Sequence, residues 1–156
     1  MKRRITGYYQ DEVGDWVAIL DCAHGQHVRH NPPFFNRPWA ATPEGRASKI
    51  GAELECVRCD RLEFPEGLHE YRRTPEFTEA DIPAGLLRDH TTKEGVWGLI
   101  HVLEGRLEYT VQEPEQRSFE LAAGDTGVVV PGMKHHVRPL GTVRFCVAFH
   151  AKASYE

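Results

Sequence analysis

Apolar and polar positions along this chain alternate mostly with a period of two, the mark of strands with two unlike faces. The first such runs are Ile5 to Tyr9 and Asp15 to Leu20, joined by the turn-prone Gln10-Asp11-Glu12-Val13-Gly14. In the second run Trp16, Ala18 and Leu20 share one face, and the same spacing carries it on to Cys22 and His24. The stretch CAHGQHVRHNPPFFNRPW, rich in His, Asn and Pro, reads as loop. Thr42-Pro43-Glu44 predicts a short helix with Thr as N-cap and Pro at the first helical position, stopped by Gly51. A short strand, Ala52 to Glu55, then delivers Cys56-Val57-Arg58-Cys59.

The second half is organised around Arg88 to Tyr109, where a polar stretch from Asp89 to Glu94 runs into a long apolar one. Val96 to Leu103 is apolar on both faces, as in a strand covered on both sides. Glu104-Gly105 is expected to turn the chain back into Arg106 to Val111. Further short strands follow at Ser118 to Leu121, Thr126 to Val130 and Thr142 to His150, the last setting Val143, Phe145, Val147 and Phe149 on one face. Strands separated by short turns predict an antiparallel sandwich or barrel. Between the halves, Asp60 to Thr78 is charged and broken by Pro65, Gly67 and Pro75. The expected organisation is a small module over 1–64, a link over 65–78 and a β-barrel over 79–156.

Composition narrows the class without changing this picture. Of the 156 residues, 40% are hydrophobic and 10% aromatic, which suits a globular protein and does not suit disorder. No run approaches the length of a membrane span, and Met1-Lys2-Arg3-Arg4-Ile5 lacks the apolar core of a signal peptide, so the cytoplasm is the expected location. In that compartment Cys22, Cys56, Cys59 and Cys146 are expected to be ligands or packing groups and not disulfides. The net charge is −4 and neither half is strongly basic, which argues against a nucleic-acid partner.

About sixty residues with this much loop bury little apolar surface, so residues 1–64 need a staple. Cys56-x-x-Cys59 is a standard zinc half-site, and Cys22-x-His24 offers the other half from one strand face, giving a tetrahedral Cys3His site. His27 is the rival fourth ligand and His30 a weaker one. A redox role for Cys-x-x-Cys would call for a βαβ context, and none is visible. Arg29, His30, Arg37 and Trp39 are read as loop packing in preference to an anion or docking surface.

Two resemblances rest on these residues. Cys22, His24, Gln26, His27, Arg29, His30, Pro32, Pro33, Asn36, Arg37, Pro38, Trp39, Cys56 and Cys59 resemble the pattern of a family of small bacterial domains to which no activity is attached. Gly124-Asp125, Val129-Val130-Pro131 and His135 resemble the second cupin motif, and His90-x-Thr92 with Val102-Leu103-Glu104-Gly105 sits where the first would be. Thr92-Lys93-x-Gly95-x-Trp97-Gly98 after His90 is similar to the cupin module of TehB-type tellurite-resistance proteins, over about residues 73–152. The fold class so implied is mainly β: a cupin-type antiparallel barrel, or jelly roll, after a small zinc-ribbon-like α+β module. In part of that family a methyltransferase domain follows, for which this sequence leaves no room, so methylation is not expected.

An ordinary metal cupin offers three His and a Glu. Here Thr92 stands in place of the second His and Gly98 in place of the Glu, so only His90 and His135 match ligand positions. Glu94, Cys146 or His150 are the candidates to complete a second divalent metal site. Alternatively His90, Thr92, Lys93 and His135 surround an oxyanion, with Trp97 closing the mouth. The expectation is a metal- and small-ligand-binding cupin protein, with the resemblance implying a role in tellurite or related oxyanion stress by sequestration or sensing. The alternatives are a metal-dependent cupin oxygenase or isomerase, and a zinc-ribbon adaptor for protein or nucleic acid. A homodimer is what the resemblance implies for assembly.

Overall fold

The computed structural model describes residues 1–153. It divides into two compact units, residues 1–58 and from 59 on, with Cys59 at the boundary, in the helical turn that begins in the first unit.

The first unit is a four-stranded antiparallel sheet in the order β3-β2-β1-β4. Its strands are β1 (Lys2–Gln10), β2 (Trp16–Leu20), β3 (Gly25–His27) and β4 (Glu53–Glu55). The β1–β2 turn forms because the Asp11 carboxylate accepts from the backbone N–H of Val13 and Asp15, while Gly14 supplies a positive φ. Helix α1 (Pro43–Ser48) starts as its sequence predicts, with the Thr42 hydroxyl accepting from Gly45 N–H. Arg46 pins it to the sheet: its guanidinium stacks 3.7 Å from the Trp16 ring centroid and donates to the Ala40 carbonyl. The loop expected over 22–39 contains β3 and the 3-10 turn Pro38–Ala41. Here Arg29 pairs with Asp15, Arg37 donates to the His27 carbonyl, and Trp39 packs near Tyr8.

The second unit is a bent six-stranded antiparallel sheet folded onto itself. Two long strands, β7 (Trp97–Val111) and β10 (His135–Ala151), pair along their whole length from Val111↔His135 to Trp97↔His150. The turn expected at Glu104-Gly105 is therefore not a reversal. Gly105 keeps its positive φ but sits at a register shift in a continuous strand, and a Cβ there would run into the Thr142 carbonyl. A glycine of this kind serves a hairpin or a bulge equally well, and only the partner strand decides between them.

The bend gives each long strand two halves. Arg106–Val111 pairs with β8 (Arg117–Ala122), whereas Gly98–His101 pairs with β9 (Thr126–Val129). The halves face each other: Tyr109 donates its hydroxyl to the Val128 carbonyl, and a Cβ on Gly127 would lie 2.9 Å from Leu121. Ile100, Val102, Leu107, Val111, Val129, Phe145 and Met133 fill the space between them.

The expected link over 65–78 is corrected by the pairing. It contributes β5 (His69–Arg73) and β6 (Phe77–Thr78), both of which pair with β10. Leu68, Tyr71 and Phe77 suggest that the segment packs and does not float free, and β5, exposed along its whole length, takes the edge of the sheet, where polar residues are tolerated.

Candidate metal centre and ligand cavity

Two tight turns bring four ligands together at the end of the first sheet. After β2 ends at Leu20, Ala23 adopts φ 74°, and Leu20 and His24 close the turn by a backbone hydrogen bond. A non-glycine residue in that region is strained, and such strain persists where the surroundings demand it. It aims Cys22 and His24 inward from a turn and not, as periodicity suggested, from a strand face. Across from them, helix α2 (Val57–Asp60) spans the Cys56–Cys59 pair.

Cys22, His24, Cys56 and Cys59 are all buried, and their ligand atoms lie within 4.8 Å of one another. His24 Nδ1 is 3.5 Å from Cys22 Sγ and 3.3 Å from Cys56 Sγ, and the two sulfurs are 3.8 Å apart. Four ligands around a tetrahedral zinc with Zn–S of about 2.3 Å and Zn–N of about 2.05 Å would be separated by ~3.8 Å (S···S) and ~3.6 Å (S···N). The sulfurs are too far apart for a disulfide, and the set has the dimensions of an ion it can hold.

The other histidines are elsewhere. His27 Nε2 pairs with Asp11 at 2.8 Å, and His30 Nδ1 accepts from Arg37 N–H. The sequence named His24 with His27 as rival; the clustered set holds His24 and leaves His27 in the hairpin turn. A second group, Asp11, Asp15 and His27, is partly exposed and already engaged in the hairpin turn.

In the second unit His90 and His135 are drawn together by the backbone. Each donates its N–H to the other's carbonyl at 3.0 Å, so the two residues oppose each other directly and their ring centroids are 4.1 Å apart. Each ring is also held from behind. His90 Nδ1 lies 3.0 Å from the Arg88 carbonyl and His135 Nδ1 2.9 Å from the Met133 carbonyl. A carbonyl only accepts, so both Nδ1 atoms carry hydrogen, and in the neutral rings both Nε2 atoms present lone pairs. Tyr109 meets the His135 ring edge-on at 5.9 Å. Burial pushes the His135 imidazole down to about 4, opposed by its bond to the Met133 carbonyl. His136, one residue on, turns outward and pairs with Asp89, whose carboxyl it holds below the usual range.

The two imidazoles open on a cavity of about 530 Å³. Its walls are apolar: Phe77, Ile100, Val129, Phe145, Val147 and Phe149. Its polar lining besides the histidines includes Thr91, Thr92, Lys93, Tyr71 and Arg72. The Thr92 hydroxyl donates to the Val96 carbonyl at 2.7 Å, so its proton is already committed. Trp97 is not at the mouth. It is fully buried on the opposite face of β7, edge-on to Phe64 at 5.8 Å, because the pleat alternates and Ile100 faces inward. Cys146 and His150 are on that outer face for the same reason, and Glu94 does not line the cavity. Among the described residues no carboxylate or thiol joins the histidine pair, so the expected second divalent site lacks a third protein ligand. The aromatic wall was missed where it comes from the expected link (Phe77), but Phe145 and Phe149 were legible in the alternation of the last strand.

Comparison with known proteins fits this division. Residues 6–63 match the family described as a protein of unknown function, DUF3565, and residues 72–147 match the TehB-like domain. No curated protein matches the chain. Among solved structures, a protein from E. coli strain K12 is similar at 23% identity and a TM-score of 0.52, over 58% of this chain and 96% of that one. TehB from Haemophilus influenzae is similar at 26% identity and a TM-score of 0.49, over 56% of this chain. The present chain covers only 32% of that TehB chain. A cupin protein from Bacteroides fragilis is similar at 19% identity and a TM-score of 0.37, over 52% of this chain and 65% of that one. The chain thus carries a segment that matches the DUF3565 model followed by one that matches the TehB-like domain model, in a mainly β fold.

Proposed function

We propose that this protein is a binding protein whose TehB-like barrel encloses a small molecule and whose DUF3565 segment is held by a structural zinc ion. The observation that carries the first part is the histidine pair. Two imidazoles, fixed from behind through Nδ1, face a cavity of about 530 Å³ with apolar walls, a size and composition suited to an organic ligand. A metal-dependent oxygenase or isomerase draws less support, since two imidazoles fall short of the three protein ligands usual in a catalytic zinc site.

The test is a solvatochromic neutral dye such as Nile red. Its emission should shift to the blue and saturate at one dye per chain, and Val147→Trp should abolish this with the far-ultraviolet circular dichroism unchanged. A dye that does not bind, or binds the Trp variant equally, removes the reading. For the zinc, elemental analysis should find one ion per chain, lost in Cys56→Ala and retained in His90→Ala and His135→Ala.

A second reading, sequestration or sensing of tellurite or a related oxyanion, is favoured by the two cationic side chains in the lining, Arg72 and Lys93. It predicts heat on titration with potassium tellurite that disappears in Lys93→Ala.

A further inference from the structure

The polarity of the cavity's hydrogen-bonding groups says more about its occupant than its size does. At the histidine pair the groups offered to a ligand are His90 Nε2 and His135 Nε2, because each Nδ1–H is spent on a backbone carbonyl. No hydrogen bond to a protein group engages either Nε2 in the described structure. The imidazole of His135 is buried at 4% exposure and is not a site where positive charge is easily placed. The neighbouring Thr92 hydroxyl has given its hydrogen to Val96 and has only lone pairs left. The surface that His90, His135 and Thr92 present to the cavity is thus a patch of acceptors. An oxyanion brings acceptors of its own and would leave these groups unsatisfied, which costs the desolvation of each. A hydroxyl or amino group brings the missing hydrogen.

Resting on the ligand-binding reading above, we propose that the barrel's ligand is an uncharged molecule with an apolar, ring-sized body and a hydroxyl or amino group that donates to the Nε2 atoms of His90 and His135. Phe77, Phe145 and Phe149 supply aromatic faces for that body, and Ile100, Val129 and Val147 supply the rest of the wall. The donors elsewhere in the lining, Lys93, Arg72, Tyr71 and Thr91, belong to exposed residues and can stay in water while the ligand is bound.

Three probes of one shape test this in the whole protein: 2-naphthol, which donates; 2-methoxynaphthalene, which can only accept; and 2-naphthoate, which is anionic. One hydrogen bond of ordinary net strength corresponds to roughly a tenfold change in Kd. The expected result is that 2-naphthol binds about tenfold or more tighter than either of the others. His90→Ala should remove the advantage while leaving 2-methoxynaphthalene binding unchanged. Because the probe series needs no variant, it stands even where a substitution at the buried His135 unfolds the barrel. Equal binding of 2-naphthol and 2-methoxynaphthalene overturns the proposal and leaves the ligand-binding reading intact. Tighter binding of 2-naphthoate overturns it in favour of an anion. Binding of Nile red with none of the three probes overturns it as well, whereas failure of Nile red and all three probes overturns the ligand-binding reading itself.

Discussion

The two units reach order by different means. In the first, the chemistry comes from two local motifs, Cys22-x-His24 and Cys56-x-x-Cys59, so each pair of ligands is in reach before the rest of the unit folds. Only one long-range meeting, between Cys22 and Cys56, then completes the set. In the second, His90 and His135 come from distant segments and meet only because the backbone pairs them. That unit buries Trp97, Tyr109, Phe145, Leu107, Ile100 and Met133 fully and has a core of its own. The first has few large buried side chains, Ile5 and Leu20 among them, and places its ligands where a core would be. A metal can stand in for a core where two short turns supply the ligands; a cavity needs a core around it.

The comparison is broken most severely by removing the ion. Chelation, or Cys56→Ala, should unfold the DUF3565 segment while the barrel keeps its native circular dichroism. Structural zinc contributes on the order of 10 kcal/mol, more than a unit of this size holds in reserve. Limited proteolysis with elemental analysis reads both effects, and Cys146→Ser should change neither, since Cys146 is not among the clustered ligands. The complementary break is Phe145→Ala. This fully buried ring meets Phe77 edge-on at 5.7 Å, and its loss should destabilise the barrel by about 3–5 kcal/mol without releasing metal. A urea titration checks the first part and metal content the second.

Acid sharpens the contrast within the barrel. His135 is held neutral by burial, with a folded value of about 4 against about 6.5 in an unfolded chain. A folded value that is depressed means stability fully present above about pH 6.5 and lost as pH falls towards about 4, by up to ~3 kcal/mol. Urea midpoints at pH 7.0 and 4.5 should therefore differ more in the wild type than in His135→Gln. The smallest expected effect separates the two N-terminal histidines. His27→Ala breaks only the partly exposed pair with Asp11, so metal content and the urea midpoint should both stay unchanged. Loss of metal in that variant would mean that His27, and not His24, completes the set.

Much of this was legible in the chain. Period-two alternation carries the all-β character, and the spacing of Phe145, Val147 and Phe149 gave the inward face of β10. Thr42 and Pro43 set the start of α1 because a cap and a fixed φ act locally. The Cys pair and Cys22 pointed for the same reason to a cluster that could hold a metal. Three things needed the tertiary structure. Whether Gly105 reverses the chain or bends it depends on β10, since a positive φ serves both. Whether 69–78 is a packed link or part of the sheet depends on the same strand, which pairs with residues that show no apolar run of their own. And which nitrogen of His90 and His135 is left for the cavity is set by the carbonyls of Arg88 and Met133, whose direction follows from the folded backbone and not from residue type.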